Sequence, residues 1–312
     1  MVKIAFHTPS IDVRGTCVSL YDYAHYNEKL LGNISIIVTP ASGKCKNDSI
    51  ALIKFMRRFP VIIYEDLEAA IEDCDILYCI KYGTFDGVIS RTIKTVIHCV
   101  FDLSQPHGDV YAAVSETLAH KYGVKKFVPH MIGLQPSKTQ ENLRSYLNIP
   151  QDAVVFGRYG GMDTFDLEIA RSAIKRAVRE YDNLYFVFIN TPEFDIHPRI
   201  IFLPKISDLD EKNRFICTCD AHLECGGLGH TFGLAMGEFS INNKPIIAYN
   251  GVVWNTAHFD ILKDQAIYFK TEEELYNVLT TFDPSLYSKR DNNCYRDYSP
   301  HKVMEQFSKV FI

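Results

Sequence analysis

Short apolar, β-branched runs alternate with longer stretches of helical period along the first part of the chain. Candidate strands are Lys3–Phe6, Ile34–Val38, Val61–Tyr64, Ile76–Ile80 and Thr95–Val100, with amphipathic stretches such as Cys17–Leu30 and Leu67–Glu72 between them. The strand candidates are apolar throughout rather than alternating in polarity, which predicts burial on both faces. Strand–helix alternation of this kind predicts a parallel sheet covered by helices.

The pattern pauses between Pro129 and Pro150, where Gly133, Pro136 and polar Ser137–Asn142 read as a linker. It restarts with the strand Ala153–Phe156, the helix Leu167–Tyr181, the strands Leu184–Ile189 and Ile200–Leu203, the helix Thr231–Asn242 and the strand Pro245–Tyr249. After Pro300 comes a last helix, His301–Phe311. The fold expected is α/β: two Rossmann-like domains with parallel sheets facing a central cleft. The N-terminal domain takes residues 1–134, with the helix 298–312 packing back on it, and the C-terminal domain takes 135–297. A chain of 312 residues fits two cores of about 150 residues each. Ligands of such sheets bind beyond the carboxyl ends of the strands, so the loops there should carry the chemistry.

Composition narrows the partners. Hydrophobic residues make up 47% and charged residues 23%, as in soluble globular chains. The net charge of −5 comes without a basic domain, which argues against nucleic acid as the main partner, because binding a phosphate backbone needs clustered Lys and Arg. A small anion needs only a few cations and a helix end. Met1–His7 reads as a first strand rather than a signal core, and no apolar run approaches the roughly 20 residues that span a bilayer. Nine cysteines, an odd number without a CxxC pair, suit reduced thiols in a cytoplasmic chain. Cys219, His222 and Cys225 lie close in sequence but lack a fourth metal ligand. Peripheral membrane contact is the most that is expected, through Lys54–Phe59 (KFMRRF) on a short amphipathic helix. Aromatics near Tyr64 and Tyr295 leave a homodimer open.

Four segments follow strands and carry candidate chemistry. Gly15 and Thr16 lie between the first strand and its helix: Gly15 allows close backbone approach to a ligand and Thr16 can cap the helix, but the turn lacks the GxGxxG dinucleotide fingerprint. His98 ends a buried strand and is either a donor to a substrate hydroxyl or a satisfied core histidine. Arg158, beside Gly157, Gly160 and Gly161, suits bidentate contact with phosphate, or else pairs with a carboxylate such as Asp163. In Gly226–Phe239 (GGLGHTFGLAMGEF) a glycine-rich approach precedes a helix expected from Thr231, so that Phe232, Gly233 and Leu234 present free N–H groups to an anion. Glu238 stands seven residues beyond Thr231, roughly 10 Å along the helix, where its carboxylate suits sugar hydroxyls. Asp208-Leu209-Asp210 matches a metal-holding DxD but sits in a polar stretch and reads as a solvated turn.

Together these segments resemble the retaining glycosyltransferases of family 4, which have the GT-B fold. The resemblance spans most of the chain. It implies that Gly15 and Thr16 belong to the loop after the first strand, that His98 contacts the donor sugar and that Arg158 binds the diphosphate. His230-Thr231-Phe232-Gly233-Leu234-Ala235-Met236-Gly237-Glu238 matches the signature of two glutamates flanking an FG, and Lys244-Pro245-Ile246-Ile247 matches the strand that follows. Two positions depart from it. His230 replaces the first glutamate, and Thr164 stands where the phosphate-binding lysine is expected, six residues after Arg158, with Lys205 as a substitute. The chain is also short for the family; a virus-encoded member is one form the resemblance could take, which no residue establishes. The resemblance implies hexosyl transfer from a nucleotide sugar, GDP-mannose foremost with UDP-glucose or UDP-N-acetylglucosamine behind, to a glycan or lipid-linked acceptor, without a metal or other cofactor. The competing readings are an NAD(P)-dependent oxidoreductase, which should carry GxGxxG, and a nucleotide-sugar binder weakened in catalysis.

Overall fold

The computed structural model describes residues 1–42 and 46–312, so Cys45 lies outside the described residues. The chain divides into two units, Met1–Gly133 with Tyr298–Ile312, and Leu134–Asp297.

In the first unit the chain runs β1 (Lys3–His7), α1 (Gly15–Leu31), β2 (Ile34–Pro40), α2 (Ser49–Met56), β3 (Val61–Tyr64), α3 (Leu67–Ala70), β4 (Ile76–Lys81), β5 (Lys94–Cys99), β6 (Val110–Ala113) and α4 (Glu116–Lys121). In the second it runs β7 (Val154–Tyr159), α5 (Glu168–Glu180), β8 (Leu184–Ile189), β9 (Ile200–Leu203), α6 (Leu209–Thr218), β10 (Ala221–Glu224), β11 (Gly229–His230), α7 (Leu234–Ile241), β12 (Ile246–Tyr249), β13 (Asn255–Thr256), α8 (Ala257–Leu262), β14 (Ile267–Phe269), α9 (Glu272–Thr281) and α10 (Pro284–Ser288). A 3₁₀ turn at Arg296–Tyr298 leads into α11 (Pro300–Phe311), which belongs to the first unit.

Each unit holds one six-stranded sheet, with orders β3-β2-β1-β4-β5-β6 and β14-β12-β10-β7-β8-β9. Every pairing in both sheets is parallel. Counted within its own unit, each sheet follows the doubly wound order 3-2-1-4-5-6. The strand order reverses between β1 and β4 in one sheet and between β7 and β10 in the other. In doubly wound sheets such points are where crossovers part to opposite faces and leave a crevice.

Packing follows the apolar pattern. The central strands β4 and β5 are buried almost throughout, as expected with helices on both faces. In α5 the buried residues Ala170, Ala173, Ile174, Ala177 and Val178 form one stripe, spaced three and four apart. In the first unit α11 contributes Val303, Met304, Phe307 and Phe311 to a core shared with Phe6, Tyr23 and Tyr78.

Two surface expectations change. Phe55 and Phe59 of the KFMRRF run pack inward on Tyr21, with ring centroids 5.2 and 5.3 Å away, and Arg58 pairs with Glu28 at 2.7 Å. What α2 exposes is Ile50, Ile53 and Met56. Tyr295 is buried, with its hydroxyl donating to the Phe232 carbonyl at 2.8 Å, and Tyr64 is half-buried beside His7, 2.9 Å from hydroxyl to Nε2. Tyr295 therefore presents no exposed ring, whereas Tyr64 keeps part of its surface open. Among the described residues no helix is long and apolar enough to cross a membrane.

Candidate functional site

The second sheet's reversal point gathers the polar residues of interest. β7 ends in Arg158 and Tyr159, and its neighbour β10 ends in Glu224. Arg158 is only 1% exposed, rather than emerging at the surface. Its guanidinium donates to Thr191 Oγ1 at 2.6 Å, to the Gly161 carbonyl at 3.0 Å and to Thr164 Oγ1. Thr164, which occupies the position of the expected lysine, therefore anchors the arginine. Nε is buried without an acceptor, and among the described residues no carboxylate lies at ion-pair distance from Arg158. Burial lowers its pKa, opposed by the more distant Glu224, Cys225 and Asp166 charges. Arginine stays protonated in proteins, so a buried guanidinium without a counter-ion is costly until an anion arrives.

Glu224 is 5% exposed. One carboxylate oxygen lies 2.9 Å from His230 Nε2, at ion-pair distance though not aligned as a linear hydrogen bond. The same oxygen accepts from the Gly226 N–H at 3.0 Å, and the other lies 3.5 Å from His222 Nε2. Burial pushes the Glu224 carboxyl up, but the His230 charge and the His222 contact hold it well below the usual carboxylate range. For His230 burial works downward and Glu224 upward, and the net effect is a raised value. A Cβ on Gly226 would fall 3.0 Å from the Glu224 carboxylate and 3.2 Å from the Thr164 carbonyl, so a side chain there would push the carboxylate or the Thr164 backbone by a few tenths of an ångström.

His230 is seated by the β11–β13 ladder, which pairs Gly229 with Asn255 and His230 with Thr256. Gly229 has φ 69°, and a Cβ there would sit 2.2 Å from the Asn255 carbonyl oxygen. We expect Gly229→Ala to cost about 1–3 kcal/mol from backbone strain alone, read as a lowered urea midpoint at unchanged slope. An unaltered midpoint would show that this ladder does not form as described.

Helix α7 begins at Leu234, three residues later than its sequence pattern predicts, and it is buried along Met236–Ser240 rather than amphipathic. Thr231 and Phe232 precede the helix and are buried, so Phe232 supplies no helix N–H. Its N-cap is Gly233, which has no side chain to satisfy the opening N–H groups of Leu234 and its successors. Glu238 also differs from expectation. Rather than standing open to hydroxyls, it is 5% exposed and accepts from Lys212 Nζ at 2.8 and 3.0 Å, and from the Tyr159 hydroxyl.

The remaining candidates lie apart from this cluster. His98 is fully buried, with Nδ1 2.6 Å from the Tyr78 hydroxyl and Nε2 2.8 Å from the Val128 carbonyl. Burial takes its pKa down to about 4. It is a core histidine with no ring nitrogen left for a sugar. Gly15 and Thr16 open α1 in the first unit, where Arg14 is the N-cap and makes no side-chain cap bond, so Thr16 lies inside the helix and does not cap it. Lys205 is exposed after β9, the edge strand of the second sheet. Asp208 caps α6 by accepting from the N–H groups of Asp210 and Glu211, each at 2.9 Å, which replaces the solvated turn with a helix start. Cys219, His222 and Cys225 are buried, and among the described residues no group of three or more His, Cys, Asp or Glu is placed to hold a metal.

Glu224, Thr191, Lys212 and Tyr159 were not singled out by their sequence pattern. β10 reads Ala-His-Leu-Glu, without an apolar run to mark a strand. The available signal was position: a carboxylate one residue before the Gly226-Gly227 pair, in the stretch that must supply the strand beside β7.

No family model matches the chain, and no curated protein matches its sequence. Solved structures do resemble it. HepE of Anabaena, in complex with UDP-glucose, superposes with a TM-score of 0.75 at 12% identity, covering 99% of both chains. A glycosyltransferase from Rickettsia africae gives 0.70 at 12% identity, over 99% of this chain and 97% of that one. WaaG, a glycosyltransferase involved in lipopolysaccharide biosynthesis, gives 0.64 at 10% identity, over 99% of each. At such identities the likeness establishes the fold: the chain has the GT-B fold.

Proposed function

We propose that the chain is a glycosyltransferase that takes a hexosyl group from a nucleoside diphosphate sugar bound at the carboxyl end of its second sheet. The observation that carries this reading is Arg158, a buried guanidinium with no carboxylate at ion-pair distance among the described residues, at the point where the strand order reverses, in the unit that also holds the start of α7 without a side-chain cap. A diphosphate supplies the missing charge, and N–H groups at a helix start donate hydrogen bonds to its oxygens. As the sugar leaves, negative charge grows on that diphosphate, and fixed donors stabilise it without reorganising.

The sequence resemblance supports retention of configuration. A bond forms between the acceptor oxygen and the anomeric carbon, the bond from that carbon to the diphosphate breaks, and the acceptor proton passes to the leaving phosphate. A glycan or lipid-linked hydroxyl is the acceptor class the resemblance favours. For the donor, HepE was solved with UDP-glucose, which ranks UDP-hexoses ahead of GDP-mannose.

Calorimetric titration of the full chain with UDP-glucose, UDP-N-acetylglucosamine and GDP-mannose tests the reading. Binding of at least one is expected, with UDP or GDP released when an acceptor is supplied. If none binds, the proposal fails. Tight binding without nucleotide release under any acceptor would make the chain a binder instead, the reading that His230 and Thr164 at their two positions would favour.

A further inference from the structure

The pairing at the end of β10 goes beyond anion binding as such. We infer that Glu224 is a positioning residue that holds the His230 imidazole as a charged donor toward the anionic group of the bound nucleotide sugar. The inference rests on the donor reading above and assigns this site a second cation beside Arg158.

The argument is one of proton accounting on a single ring. His230 Nε2 stands 2.9 Å from a buried Glu224 oxygen, an ion-pair contact rather than an aligned hydrogen bond, so the carboxylate favours a proton on that nitrogen. A neutral imidazole would then have a bare Nδ1, an acceptor that repels phosphate oxygen. Only the imidazolium offers a second N–H while satisfying Glu224. His230 is the member of the pair that reaches solvent, with its side chain 26% exposed against 6% for Glu224. A ligand therefore meets the ring and not the carboxylate.

The groups around the ring support this charge. Glu224 on β10 is the anion in contact. Arg158 on β7 opposes protonation from a distance, as does burial, yet the net shift of His230 is upward. His222 on β10 and His258 on α8 are both driven down by burial, His258 to about 4, and stay neutral near pH 7. His258 Nδ1 lies 3.3 Å from the His230 carbonyl, so it engages the backbone of that residue rather than its ring nitrogens. Gly226 completes the arrangement, because a side chain there would push the Glu224 carboxylate or the Thr164 backbone.

The consequence is a pH-dependent affinity with a defined sign. A site that needs imidazolium binds its anion below the His230 pKa and loses affinity as pH rises through it. UDP-glucose suits the test because its diphosphate keeps its charge from pH 6 to pH 8.5. Histidine Cε1–H resonances of the ligand-free full chain should show one ring, assigned by its absence in His230→Gln, titrating above the ordinary 6.5. In Glu224→Gln that midpoint should fall by at least one pH unit. Wild-type affinity for UDP-glucose should drop about tenfold between pH 6 and pH 8.5, the weight of one charge-assisted hydrogen bond. Glu224→Gln and His230→Gln should both bind more weakly and with little pH dependence, and uridine alone should show none in any variant. A wild-type His230 midpoint at or below 6.5 overturns the pairing whatever binds, and this holds even if Glu224→Gln fails to fold. A raised midpoint without UDP-glucose binding overturns the donor reading, and the anion role with it, but not the pairing.

Discussion

Arg158→Met should lose about 100-fold or more in affinity for the nucleotide sugar, the cost of truncating one partner of a desolvated charge pair. Arg158→Lys should recover little of it. The ammonium keeps the charge, but it cannot hold Thr191, Thr164 and the Gly161 carbonyl while also presenting a flat fork to a diphosphate. The ligand-free fold should tolerate Arg158→Met better than its burial suggests, because the guanidinium has no carboxylate partner and methionine fills much of the same volume. Titration calorimetry gives the first quantity and thermal unfolding without ligand the second. Wild-type affinity in either variant would show that Arg158 is a strut and not a clamp.

Glu238→Gln should show the opposite profile. The carboxylate is 6% exposed and the Lys212 ammonium chain 12% exposed, with 2.8 Å between their charged atoms. Removing one charge leaves the other buried and unpaired, which costs about 3–5 kcal/mol. The Tyr159 hydroxyl, already pushed far from ionisation by burial and by Glu238, loses its charged acceptor as well. Chemical denaturation should register this as a large fall in midpoint. Lys212→Met combined with Glu238→Leu should restore most of the stability, because an apolar pair of similar volume replaces an ion pair at little net cost. If Glu238→Gln unfolds like the wild type while donor affinity collapses, Glu238 belongs to the ligand and the Lys212 contact yields when the ligand binds.

How much was legible follows from residue chemistry. Val61–Tyr64, Leu184–Ile189 and Ile200–Leu203 have the same limits in the sequence pattern and in the structure, because each is an apolar run closed by a proline or a polar residue on either side. β6 (Val-Tyr-Ala-Ala) and β10 (Ala-His-Leu-Glu) are as buried as their neighbours but too short or too polar to stand out. Their places are set by sheet neighbours, not by local preference. At the site Arg158 was legible from its position after a strand, whereas its burial and its threonine partners depend on how the loops after β7 and β8 meet. His98 shows the reverse: a strand-end histidine satisfies the motif, yet the ring points into the core to meet Tyr78. The first glutamate of the signature is absent in sequence, but a carboxylate contacts its replacement from another strand, a substitution visible only in three dimensions.

Helix α11 has a consequence for how the molecule is made. Phe307 and Phe311 complete the first unit's core against Tyr78, and Phe307 also stacks on Phe6 and Tyr23. A ribosome adding roughly 5–20 residues per second finishes Leu134–Asp297 before it reaches that helix, a delay on the order of 10 s or more. During that interval the nascent first unit carries an open apolar seam, and the second unit's whole sequence is made before the seam can be filled. Synthesis therefore reverses the usual order of maturation: the half begun first is the half sealed last.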